Sequence, residues 1–256
     1  RAVRLIGHNE ERFSKVIRPR PEAPGSLVLA PDPTDEPERT SRLIRSWPHD
    51  DGTRAILART NRELRPAVVA ALAIGEPFRA SSVELLVDDP ALDALLDRIA
   101  TETSTAWPLL ARIAPVRADV PWTQRDLATA ILAWAPPYAD VEHIRAAVEA
   151  TRARLAELRR DDARLTLATA HSTKGAEFDH VAVVGMEDGR FPSGRAIADA
   201  EDPARAREEE RRLAYVAWTR ARRTLTLSYD PAVPSPFLLE AFSAAEVGLS
   251  PGPPPG

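Results

Sequence analysis

Short apolar runs alternate with amphipathic stretches along most of the chain. Near-continuous apolar segments at residues 27–30, 55–58, 165–170 and 181–185 predict β-strands, and a final strand is expected over 224–229. In that last segment Leu225, Leu227 and Tyr229 share one face, and Thr224, Thr226 and Ser228 share the other. Helices are expected between the strands. One is capped by Thr34 or Asp35 and runs to Trp47, with acids early and Arg42 and Arg45 late, which matches the helix dipole. A second covers 63–73 and stops near Gly75, and a long one covers 203–218. Strand–helix alternation with apolar strands predicts an α/β fold on a parallel sheet.

The pattern changes between Glu102 and Arg160, where strand signals vanish. Helices are expected over 107–113, 123–134 and 141–158, interrupted at Pro136-Pro137. This reads as a small helical insertion whose last helix shows Glu149, Arg152, Arg154 and Glu157 to solvent. At the start, Val3, Leu5, Ile6 and then Phe13, Val16 and Ile17 read as a helix already under way, with no cap before Arg1. That suggests a domain cut from something longer. Residues 18–26 are a Pro-rich loop, and the closing SPGPPPG reads as a disordered end.

Composition narrows the classes. The 256 residues carry a net charge of −4, without the basic excess of a protein that coats nucleic acid, so any such contact must be local. No apolar run spans a bilayer and no signal peptide is visible. There is no cysteine, which excludes disulfides and thiolate metal sites. A cytoplasmic location is the expectation. Lysine stands only at Lys15 and Lys174 in an arginine-rich chain, which singles out Lys174.

The chemistry gathers in the block from Leu165 to Tyr229. Thr169 and then His171-Ser172-Thr173-Lys174-Gly175-Ala176-Glu177-Phe178 form a polar loop after a predicted strand. In open α/β sheets, ligands sit beyond the carboxyl ends of strands. A cation and hydroxyls there suit phosphates, and a carboxylate suits a sugar hydroxyl. Arg220 follows the 203–218 helix just before the last strand, where a fixed guanidinium can face a phosphate across an interface.

Taken in order, these segments resemble motifs V and VI of superfamily 1A helicases of the UvrD/Rep/PcrA type. The resemblance rests on Thr169, His171, Ser172, Lys174, Gly175, Glu177 and Phe178, on Asp188-Gly189-Arg190-Phe191-Pro192, and on Glu209-Glu210-Arg211-Arg212-Leu213-Ala214-Tyr215-Val216 with Thr219-Arg220-Ala221. Ala176 replaces the family's usual leucine and Asp188 its common glutamate. Ala58-Arg59-Thr60-Asn61 is similar to the family's Y-R-T-N segment, and Pro234-Ser235-Pro236-Phe237-Leu238 to its closing P-S-R-F-L.

The resemblance implies a RecA-like parallel sheet flanked by helices. The halves would be 1–101 and 163–242, with a reduced helical accessory insertion over 102–162 and a disordered tail over 243–256. It also implies roles. Arg220 would be the arginine finger on the γ-phosphate, with Gly175 and Glu177 near the nucleotide. His171, Lys174 and Thr169 would meet the DNA backbone, and Arg59 with Asn61 would hold the strand. ATP and Mg2+ would be held mainly by an N-terminal P-loop motor domain, in cis or trans. Single-stranded or 3′-tailed duplex DNA would be the substrate, with 3′–5′ translocation.

The phosphate-cradling G-x-x-x-x-G-K-[ST] loop is not found. Its nearest match, from Gly189 to Ala196, lacks both the lysine and the hydroxyl. This chain alone is expected not to hydrolyse ATP. The alternative is an inactive, stand-alone DNA-binding or regulatory module derived from a helicase. Three further groups have plainer readings. Arg211 and Arg212 are expected to pair with Glu208–Glu210, and Trp107, Trp122 and Trp134 to be helical core. The histidines show no metal-ligand spacing.

Overall fold

The computed structural model describes residues 1–10, 25–48, 50–80, 83–101 and 107–248, without the Trp122 side chain. The helix expected around Phe13, Val16 and Ile17, His49, and the last eight residues of the tail lie outside the described residues. The chain divides into two compact units: Arg1–Val83 with Arg159–Gly256, and Glu84–Leu158.

The first unit is an α/β domain on a six-stranded sheet in the order β1-β6-β5-β2-β4-β3. The strands are β1 (Ser26–Pro31), β2 (Arg54–Ala58), β3 (Phe78–Arg79), β4 (Leu165–Thr169), β5 (Phe178–Val183) and β6 (Ala221–Tyr229). Every pairing is parallel. A parallel sheet must be covered on both faces, which explains its nearly uninterrupted apolar strands. The architecture is the α/β fold on a parallel sheet that the strand–helix alternation predicts.

On one face Leu57, Val181, Val183, Leu225, Leu227 and Tyr229 form a core with three helices, α1 (Ala2–Ile6), α9 (Pro203–Trp218) and α10 (Pro236–Ala241). The opposite face carries α2 (Glu36–Ser46) and α3 (Asn61–Ile74). Asp35 caps α2, accepting from the Glu38 amide at 2.9 Å. α3 starts two residues earlier than its periodicity suggests, because Thr60 and Glu63 close a reciprocal capping box. Its end at Gly75 is left-handed, as expected.

Register fixes what lies at each edge of the sheet. Ala58 pairs with Thr169, so the residues after β2 and after β4 emerge together at the carboxyl edge. Arg54 pairs with both Leu165 and His180, and Phe178 with Ala221, so β5 and β6 begin at the opposite, amino edge. Residues 170–177 therefore cross from the carboxyl edge to the amino edge.

Four stretches depart from the sequence expectation. β3 is only two residues long, too short to show alternation. α10 and α8 (Gly194–Ala198) are short helices begun by serine caps, Ser235 and Ser193. Residues 243–248 are held to the core through Val247 rather than trailing off. Val247 is fully buried and its carbonyl accepts from the Tyr229 hydroxyl at 3.2 Å.

The second unit is helical, with α4 (Ala91–Thr101), α5 (Leu109–Asp119), α6 (Arg125–Trp134) and α7 (Val141–Leu158). It begins at Glu84 and takes in α4, whose Leu92, Leu95, Leu96 and Ile99 sit in its core with Ile113, Ile131 and Ile144. Trp134 packs half-buried against that core, whereas Trp107 is 53% exposed, contrary to its reading as core.

Candidate functional site

The crossing loop is built by local hydrogen bonds. The Thr169 hydroxyl accepts from the Ser172 amide at 3.3 Å, and the Ser172 hydroxyl returns a bond to the Thr169 carbonyl at 3.0 Å. The buried Thr173 hydroxyl donates to the Ala170 carbonyl at 2.9 Å. These bonds wind residues 171–173 into one tight turn. They leave the His171 and Lys174 side chains exposed, without a hydrogen bond or ion pair to the described residues. Gly175 adopts φ +83°, a left-handed conformation that carries a Cβ penalty.

Arg220 closes the loop from the other side. Its Nε donates to the Val216 carbonyl at 3.0 Å, and one Nη donates to the Ala176 carbonyl at 2.9 Å. Its own carbonyl accepts from the Phe178 amide at 2.9 Å. The guanidinium is thus half-buried and clamps the end of α9 to the loop. Glu177 stands exposed beside it at the amino edge, where Arg222 donates to its carboxylate at 3.1 Å.

The structure divides the sequence-nominated residues between the two edges. Thr169 ends β4 and His171 follows it at the carboxyl edge, where Arg59 and Asn61 follow β2. Glu177 and Arg220 precede β5 and β6 at the amino edge. The sequence expectation that the whole loop lies beyond the carboxyl ends is corrected for its second half. An eight-residue crossover between parallel strands must travel the length of the sheet, so Glu177 ends where β5 starts.

Arg59 is engaged within the chain. Its Nε lies 2.8 Å from both carboxylate oxygens of Glu210, and one Nη lies 2.6 Å from the nearer oxygen. Glu210 is 3% exposed and also accepts from the Ser193 amide at 2.9 Å. Its hydrogen-bonded carboxylate holds the Arg59 guanidinium above its ordinary pKa, against the desolvation that lowers it. Asn61 is the first residue of α3.

Other charged motif residues hold the fold together. Arg212 pairs with Glu208 and Glu209, as helical spacing predicts. Arg211 does not pair within that cluster. It is buried, and reaches Glu240 on α10 at 2.7 Å and the Asn9 side chain at 2.6 Å. Glu187, just before the Asp188–Pro192 motif, is buried between Arg39 and Arg190 and accepts from the Asp230 amide at 3.0 Å. Sequence reasoning passed over Glu187, Glu210 and Arg222 as site-shaping residues. Glu210 entered the sequence reading only as a member of the Glu209–Val216 motif and as an expected partner of Arg211 and Arg212.

Among the described residues no group of three or more His, Asp and Glu side chains is arranged to hold a metal ion. No helix among the described residues is long and apolar enough to cross a membrane.

Comparison with known proteins agrees with the motif block. Residues 139–231 match the family model of the UvrD-like helicase C-terminal domain. The chain is also similar to DNA helicase II and PcrA proteins. It is 57% identical over 61 residues to DNA helicase II of Haemophilus influenzae, covering 24% of this chain and 8% of that protein. It is 46% identical over 67 residues to the ATP-dependent DNA helicase PcrA of Leuconostoc citreum, covering 26% and 8%. The match thus spans less than a tenth of either relative. A solved structure, the C-terminal domain of a possible DNA helicase from a Lactobacillus, aligns over 86% of this chain and 81% of that one at 16% identity, with a TM-score of 0.41.

Proposed function

We propose that this chain is the C-terminal motor domain of an ATP-dependent 3′–5′ DNA helicase and works against a separate ATP-gripping domain. The observation that carries the reading is the path of residues 169–177. One segment leaves the carboxyl edge beside Arg59 and Asn61, exposes His171 and Lys174, and ends at the amino edge with Glu177 next to Arg220. Chemistry at one edge is thereby joined through eight residues to contacts at the other.

In this reading Arg220 moves from the Ala176 carbonyl to the γ-phosphate of a nucleotide held by the partner domain. A phosphate competes well for a guanidinium, because it brings an opposite charge and can accept two parallel N–H bonds, whereas a carbonyl carries no charge. Glu177, near the glycine turn at Gly175, accepts a ribose hydroxyl. Thr169, His171 and Lys174 meet backbone phosphates of single-stranded DNA, and Arg59 with Asn61 hold the strand. ATP supplies the free energy and Mg2+ the charge neutralisation when both are bound by the partner domain. This chain supplies the finger and the strand contacts.

The test joins the chain to an upstream ATP-gripping domain and measures DNA-stimulated ATP hydrolysis. Hydrolysis is expected from the joined protein and not from this chain alone. A joined protein that binds ATP but gains no rate from DNA contradicts the reading.

A further inference from the structure

We propose that Glu210 is a positioning residue for the strand-contact edge, a role that rests on the reading of Arg59 given above. Glu210 sits in the middle of α9, the helix whose C-cap, Thr219, directly precedes Arg220. Its buried carboxylate takes both Nε and one Nη of Arg59 at 2.6–2.8 Å, and it takes the Ser193 amide at 2.9 Å. A flexible arginine is thus held in one orientation by a fork that leaves its second Nη for an incoming acceptor. The Arg59 side chain keeps 23% exposure while that of Glu210 keeps 4%, so the holder is inside and the held group reaches the surface.

The pairing also joins the two edges. α9 holds Arg59 at the carboxyl edge through Glu210 and reaches the amino edge through Arg220, whose guanidinium contacts the loop carbonyls of Thr173 and Ala176. A shift of the helix when Arg220 turns to a phosphate moves the carboxylate that aims Arg59. The partner recognised at this edge is a backbone phosphate of single-stranded nucleic acid.

The test measures binding of a fluorescein-labelled oligothymidylate to the full-length protein at several salt concentrations. It compares Arg59→Ala, Glu210→Gln and the double variant, with melting curves as a folding control. Each single variant should weaken binding about tenfold and reduce the salt slope by about one phosphate contact. The double variant should be no worse than either single one, because both remove the same contact. A merely structural Glu210 would lower the melting temperature and leave the slope alone, which overturns the proposal. Tighter binding by Glu210→Gln also overturns it, by showing that the carboxylate masks Arg59 rather than aiming it. If Arg59→Ala has no effect, the strand-contact reading of Arg59 fails and this inference fails with it. If Arg59→Ala weakens binding and Glu210→Gln does not, only the inference fails. Should Glu210→Gln melt early, Glu210→Asp keeps the charge and withdraws the carboxylate; an intermediate loss supports the proposal and wild-type binding overturns it.

Discussion

The Arg220 guanidinium donates to the Ala176 carbonyl at 2.9 Å, so the proposed finger rests on the loop that carries the proposed strand contacts. The bond gives Arg220 a role in the protein before any nucleotide arrives. It also makes the loop's order depend on where the guanidinium points. Arg220→Ala should therefore raise amide hydrogen exchange across residues 173–177, because the carbonyls of Thr173 and Ala176 lose their shared donor. Loss of such bonds costs about 1–2 kcal/mol. Exchange indistinguishable from wild type would mean the loop is ordered without Arg220.

Arg211 and Arg212 are neighbours with opposite prospects. Arg211 is buried against Glu240 and Asn9, whereas Arg212 pairs on the helix surface. Arg211→Ala leaves the half-buried Glu240 carboxylate with only Arg207 at 3.5 Å and takes the donor from the Asn9 side-chain oxygen, which should cost about 3 kcal/mol. Arg212→Ala should stay within about 0.5 kcal/mol of wild type. Urea unfolding of the two variants measures the difference, and equal losses would refute the assignment.

Gly175 tests conformation without crowding. Its φ is +83°, and a Cβ built there meets nothing within 4 Å. Gly175→Ala should therefore cost only the left-handed penalty, about 1–2 kcal/mol, with no repacking of the core. A loss above about 4 kcal/mol in thermal melting would point to a contact that the loop geometry does not contain.

Asp32 contributes to the acid limb of stability. Its partial burial works to raise the pKa, but hydrogen bonds from Arg42 and Thr34 outweigh it and bring the carboxyl from 3.8 down to about 2. A carboxyl with a depressed folded-state pKa adds stability that is full above its unfolded value and is lost as pH falls through the folded value. The Asp32 contribution should thus fade between about pH 4 and about pH 2. Asp32→Asn should be less stable at pH 7 and should lose less on acidification over that window. Parallel melting-temperature profiles for wild type and variant would contradict this.

Strong local signals were legible in the sequence. α2 and α9 announce themselves with Asp35 and Asp202 caps and a proline in the first turn. The faces of β6 follow from simple alternation. Elements without local periodicity were not legible, as at β3. The helical unit starts earlier than its composition shift suggests, because α4 carries ordinary helix periodicity and its allegiance to that unit is tertiary. The same limit applies to charge. Spacing on α9 accounts for Arg212, but the Arg211 partner lies twenty-nine residues away on another helix. Motif residues were found as a set, whereas their division between the two edges required the register of β2, β4, β5 and β6.

The most direct test of the central claim is the rate of DNA-stimulated ATP hydrolysis by the chain joined to an ATP-gripping domain, with Arg220 and with Arg220→Ala. A finger on the γ-phosphate predicts a fall of about 10³-fold or more in kcat, with ATP still bound. An unchanged kcat in the folded variant would contradict the account.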